Sequence, residues 1–158
     1  MIQKLTRTES METIVERELV LTPASHQKHI RIPFVLTQAY QRLYVNFSFS
    51  PQYVDREKAL VIISQVLPDY FGAEHPPDRP EDFLPLENLL TFSVSHGDEY
   101  VGSRHHKATE QEVYLSAEGS SAGYLPHAVK PGNWEVQIHP HCLLSDQVQV
   151  CLKIQGGN

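Results

Sequence analysis

His139-Pro140-His141 is the part of this sequence best equipped for chemistry. Two imidazoles at i and i+2 of a strand project to the same side, which suits two ligands of one metal ion. A third ligand could come from Asp146, from His127 or from the His105-His106 pair. Three protein ligands and an open position would make a hydrolytic or oxidative centre around a divalent metal. The period of the segment argues the other way. His139 and His141 share parity with Glu135 and Gln137 and oppose Trp134, Val136 and Ile138, so a strand turns them outward as solvated histidines. A protein without a cofactor is therefore the first reading, and a small metal-dependent enzyme using His139, His141 and Asp146 is the alternative.

Gly119-Ser120-Ser121-Ala122-Gly123 matches the Gly-x-Ser-x-Gly pattern of a hydrolase nucleophile. That motif needs a strand before it and a helix after it. Pro126 and Pro131 follow instead, so the segment reads as a small-residue turn and no catalytic residue is assigned.

The element that must position the histidines begins at Pro131-Gly132, a turn signal, and alternates Trp134, Val136 and Ile138 against Glu135, Gln137 and His139. Trp134 is the only tryptophan. Its indole is expected inside, because a one-residue slip would expose it and bury the charges.

Further strands are expected over 12–22, 29–36, 41–50, 89–95, 99–101, 111–117 and 147–154. Pro33 places the second of these at a sheet edge or a bulge. His96-Gly97-Asp98 reads as a hairpin turn. Over 54–65 a short turn followed by a strand buried on both faces is expected, from the run Leu60-Val61-Ile62-Ile63. The span 68–87 holds five prolines and no periodicity, and reads as one long mobile loop. The fold class expected is all-β: an antiparallel, jelly-roll-like β-sandwich over 11–158, preceded by a flexible tail at 1–10.

Composition narrows the functions. The 158 residues carry 13 Lys and Arg against 19 Asp and Glu, a formal charge of −6, without a basic run; neither nucleic acid nor a membrane surface is an expected partner. No apolar run reaches spanning length and the first residues are polar, so the expected location is cytoplasmic. Cys142 and Cys151 read as two free thiols.

Ala122-Gly123-Tyr124-Leu125-Pro126-His127, followed by Lys130-Pro131-Gly132-Asn133-Trp134-Glu135-Val136, resembles a segment of the β-sandwich that precedes the catalytic barrel in some PHP-type (polymerase and histidinol phosphatase) metallohydrolases. There Gly-Tyr-x-Pro-Gly is followed by Pro-Gly-x-Trp and a strand; His127 stands where the family usually has glycine. The likeness extends back through Leu89–Val94 and the glycines Gly97 and Gly102. It implies a non-catalytic accessory module without the barrel, with Gly123, Tyr124, Pro126, Pro131, Gly132 and Trp134 in turn and packing roles.

The function expected from these readings is a binding or protein-interaction module without chemistry of its own. Its ligand, a protein or a small molecule, would meet Tyr100, Tyr114, Tyr124 and His127, since planar side chains give contact area at low entropic cost. Carbohydrate recognition on a concave sheet face is a further alternative. Unpaired sheet edges make a homodimer one of the expected states.

Overall fold

A computed structural model describes residues 10–71 and 79–158. The tail expected at 1–10 lies outside that range except for Ser10, as does the 72–78 part of the proline-rich loop.

Eight strands follow the alternation in the sequence: β1 (Met11–Leu21), β2 (Ile30–Leu36), β3 (Arg42–Ser50), β4 (Leu89–His96), β5 (Glu99–Ser103), β6 (Glu110–Leu115), β7 (Gly132–Cys142) and β8 (Val148–Gly157). They form two four-stranded antiparallel sheets, A in the order β1-β8-β3-β6 and B in the order β2-β7-β4-β5. Packed as a sandwich, this order has the wrapping of an eight-stranded jelly roll. Pro33 lies on β2, an edge strand, where its missing N–H costs no ladder bond.

The core fills from both inner faces. Leu43, Val45, Phe47 and Phe49 of β3, with Val150, Leu152 and Ile154 of β8, meet Phe92 and Val94 of β4 and Trp134, Val136 and Ile138 of β7. Phe47 touches Phe92 across the gap, ring centroids 5.1 Å apart. Trp134 is 1% exposed, and its indole N–H donates to the Lys130 carbonyl at 3.0 Å. The turn before the strand thus satisfies the one polar atom that the ring carries inside.

The span 54–65 is not a turn and a strand. It belongs to α1 (Arg56–Phe71), the one α-helix among the described residues. Asp55 caps it: the carboxylate accepts from the Lys58 N–H at 3.3 Å, and the Asp55 carbonyl accepts from the Ala59 N–H at 2.8 Å. Of the run Leu60–Ile63, only Ile63 is buried and Val61 is exposed, so the β-branched run does not lie within a sheet. Ala59, Ile63 and Leu67 form the buried stripe, at i, i+4 and i+8. The helix takes in Pro68, which shortens the loop expected over 68–87, and a 3-10 turn, Pro80–Phe83, takes up more of it.

Asn88 fastens the base of this region. Its amide nitrogen donates to the Pro51 carbonyl at 3.0 Å and to Ser145 Oγ at 2.8 Å, and its oxygen accepts from the N–H groups of Leu144 and Ser145. At 1% exposure the side chain is buried, and its hydrogen-bonding capacity is used to join three connections of the fold.

The segment 119–127 bridges the sheets on one flank. Tyr124 pairs with Gly102 of β5, and the Ser121 and His127 N–H groups donate to the carbonyls of Tyr114 and Ser116 beside β6. A Cβ on Gly102 would stand 2.3 Å from the Gly123 carbonyl oxygen, so this approach of two backbones requires glycine.

Candidate functional site

β7 presents His139 and His141 on the outer face of sheet B, as its period requires. His29, one residue before β2, stands beside them because β2 pairs with β7 in a register that sets Ile30 opposite Ile138. The Nδ1 atoms of His29 and His139 are hydrogen bonded at 2.6 Å. His141 follows with its ring centroid 6.2 Å from that of His139, and His105, from the connection after β5, lies edge-on to His141 at 4.7 Å. Four imidazoles thus form a row.

Two hydroxyls hold the middle of the row from beneath. Ser93 Oγ is 2.8 Å from His139 Nε2, and Thr91 Oγ1 is 2.7 Å from His141 Nε2. Both hydroxyl residues are buried under the rings. With each Nε2 engaged, His139 keeps Nδ1 for His29. A cavity of about 170 Å³ opens there, lined by Gln27, His29, His139, Pro140 and His141. Gln27 has φ +59°, and its N–H donates to the Pro140 carbonyl at 2.9 Å, so the loop before β2 is tied onto β7.

Burial, followed by the neighbouring His29 and His141, holds His139 below the usual imidazole range. Burial and then His105 and His29 do the same for His141. Both cause and direction favour the neutral ring.

His127 does not join this row. It packs edge-on against Trp134 at 5.5 Å and against His96 at 5.0 Å, while His96 stacks flat on Trp134 at 4.0 Å. His96 Nδ1 and His127 Nε2 are hydrogen bonded at 2.8 Å, and Glu99 Oε2 approaches the other ring nitrogen, His127 Nδ1, at 3.7 Å. Burial and His96 hold His127 below the usual range, partly opposed by Glu99.

The tyrosines expected to share a ligand surface are differently placed. Tyr100 is 60% exposed on edge strand β5, its hydroxyl donating to Ser103 Oγ. Tyr114 lies half-buried on β6, with the Arg42 guanidinium 5.5 Å from its ring centre. Tyr124 is a core residue at 7% exposure, packed on Phe92 and donating to the Phe92 carbonyl at 3.2 Å; burial raises its pKa. It is closed to a ligand at the surface, which corrects its reading as an exposed aromatic contact. Asp146 is paired with Lys58 of α1. The hydroxyls of Ser120 and Ser121 accept from the backbone of Ser116 and Tyr114, and no helix follows them, so the Gly-x-Ser-x-Gly match is a turn.

A second surface of functional interest lies beside α1. Ile62, Ile63, Val66, Leu67, Phe83, Leu86 and Leu144 line a groove of about 290 Å³ with no polar lining. Val66 and Phe83 are 42% and 39% exposed. Glu81, Asp82 and Glu87 neighbour Phe83 and Leu86 in the chain, and Asp69 follows Leu67. Lys58 pairs with Asp146, and Arg79 with Glu81 at 3.7 Å.

Sequence reasoning found His139, His141 and His105 but missed His29, Ser93 and Thr91, whose places depend on pairings between distant strands. It also missed the groove, because the helix that builds it was read as a strand. Within the Gly123–Trp134 segment, Gly123 has φ +89°, Gly132 φ +134°, and Trp134 and Tyr124 are buried.

No family model and no curated protein matches the sequence. Among solved structures, the chain is similar to one chain in the crystal structure of the Aeromonas sobria serine protease in complex with the chaperone ORF2, at 7% identity and a TM-score of 0.37 over 94% of the present chain. The chain spans about a quarter of the length of that protein chain (27%).

Proposed function

We propose that the chain is a non-catalytic β-sandwich interaction module that receives an amphipathic, basic segment of a partner protein in the groove beside α1. The groove is the observation that carries this reading: an apolar cleft with exposed Val66 and Phe83, whose lining residues are neighboured in the chain by Glu81, Asp82, Glu87 and Asp69. An apolar helix face fills such a cleft by burying its i, i+3 and i+4 side chains. Flanking Lys or Arg residues would pair with these carboxylates and speed the encounter. The resemblance of the Gly123–Val136 segment to PHP-type accessory sandwiches supports a metallohydrolase as the partner.

The test uses two labelled helical peptides of equal length, one built from Leu and Lys and the other from Leu and Glu. The Leu/Lys peptide is expected to bind at least about tenfold more tightly, and Val66→Asp is expected to remove that binding although it adds an attractive negative charge. Equal affinity for the two peptides overturns the reading, as does binding that survives Val66→Asp. Val66 is exposed, so a thermal melt of the variant close to that of the parent confirms that the fold is kept.

A further inference from the structure

We propose that the outer face of sheet B binds one divalent transition-metal ion, a zinc-type cation, through His29 and His139, with His141 as third ligand. This site is separate from the groove and does not depend on its occupant.

The argument starts from the nitrogens. His29 and His139 already direct Nδ1 at Nδ1 with 2.6 Å between them, held by a proton. A tetrahedral metal with nitrogen ligands at about 2.0–2.1 Å sets two of them about 3.3 Å apart, so replacing the proton requires the rings to part by roughly 0.7 Å. His29 is exposed and precedes its strand, which leaves it room to do so. His139 is orientated for the task. The tautomer that donates Nε2–H to Ser93 Oγ is the one whose Nδ1 lone pair faces His29. A ligating histidine commonly has its other ring nitrogen held in this way, which fixes both tautomer and ring plane.

His141 repeats the arrangement two residues on, with Nε2 at Thr91 and Nδ1 unengaged by that bond. Among the described residues no group of three His, Cys, Asp or Glu side chains stands preassembled to hold a metal. The pair binds first, and rotation of His141 about its side-chain bonds completes the set. The cavity of about 170 Å³ bounded by these three histidines, Gln27 and Pro140 has space for the ion and for water on its open side. A donor set of imidazoles alone selects zinc, nickel or copper over magnesium or calcium, which prefer oxygen.

The experiment is a calorimetric titration of tag-free, chelator-stripped protein with zinc chloride, and with magnesium chloride as control. One equivalent of zinc is expected to bind in the micromolar range with a raised melting temperature, and magnesium is expected to give no heat above dilution. His29→Gln, His139→Gln and His141→Gln are each expected to weaken zinc binding by about tenfold or more, whereas His127→Gln, at the separate imidazole pair, leaves it unchanged. The cobalt-loaded parent is expected to show visible bands of nitrogen ligation, which gives a readout should a variant fail to fold. Absence of zinc binding overturns the proposal. So does an unchanged affinity in any of the first three variants, or a loss confined to His127→Gln.

Discussion

The molecule holds two groups of imidazoles that differ in what lies beneath them. His96 and His127 rest on the buried indole of Trp134, one flat and one edge-on, and their bond to each other completes a packed wall. His139 and His141 rest on the hydroxyls of Ser93 and Thr91, on the outer face of sheet B, and His29 joins them through His139. An aromatic floor consumes the ring faces and makes histidine a packing residue. A hydroxyl floor consumes one nitrogen and leaves the other for chemistry. The same residue type thus serves structure in one place and is available to a ligand in the other.

Removing the aromatic floor is the strongest way to break the comparison. Trp134→Ala is expected to cost about 3–5 kcal/mol in urea unfolding, the range for large aromatic truncations in a core. His139→Gln in metal-free protein is expected to cost under about 1 kcal/mol, since it empties no core volume. If the two changes cost the same, the distinction between the floors fails.

Removing the hydroxyl floor comes next. Ser93→Ala is expected to destabilise the fold by about 1 kcal/mol, because His139 Nε2 loses its partner in a partly buried place. It is also expected to weaken zinc binding by about tenfold, as calorimetry would show, because nothing then fixes the ring. A variant that keeps full affinity would show that the hydroxyl is not an orienting group.

Acid acts on both groups in the same direction. His127, His139 and His141 all have folded-state pKa values below the ordinary 6.5, so the unfolded chain binds more protons than the folded one at mildly acid pH. Stability is therefore full above about pH 6.5 and falls as pH drops through that value toward the lower folded-state ones. Chemical denaturation between pH 7.5 and 5 is expected to show this slope, and His139→Gln or His127→Gln each to flatten part of it. A flat profile in the parent would refute it.

Glu99→Gln gives the smallest effect. Glu99 supports the charged form of His127, so its loss lowers that pKa further and steepens the acid limb slightly while leaving zinc affinity unchanged.

The strand alternation carried most of the fold on its own, because a sandwich with a dry interior writes its inner faces into every second residue. β3 and β7 were legible in this way, and so was the edge position of Pro33. α1 was not. Its buried stripe is only Ala59, Ile63 and Leu67, narrow for a helix, and the β-branched Val61-Ile62-Ile63 resembles a buried strand; the decisive signal was the cap at Asp55. The two central rings of the imidazole row were legible for a similar reason. The spacing of His139 and His141 belongs to one strand, whereas His29 arrives from 110 residues away through the β2–β7 register, which no turn connects. Tyr124 misled because a phenol can be read as a surface group until its hydroxyl is seen to reach a carbonyl inside.

The seam between Gly102 and Gly123 gives the sandwich a handed pattern of vulnerability. On the β5 and β6 flank, the stitched segment occupies main-chain groups that an approaching strand would need. On the opposite flank, β1 and β2 each have a strand neighbour on one side only, and Val20 and Val35 project there into water. Any growth of this body by adding strands, whether as an ordered pair or as a fibre, must begin from that second flank. A lysine placed at Val35 would be the first barrier to build against it.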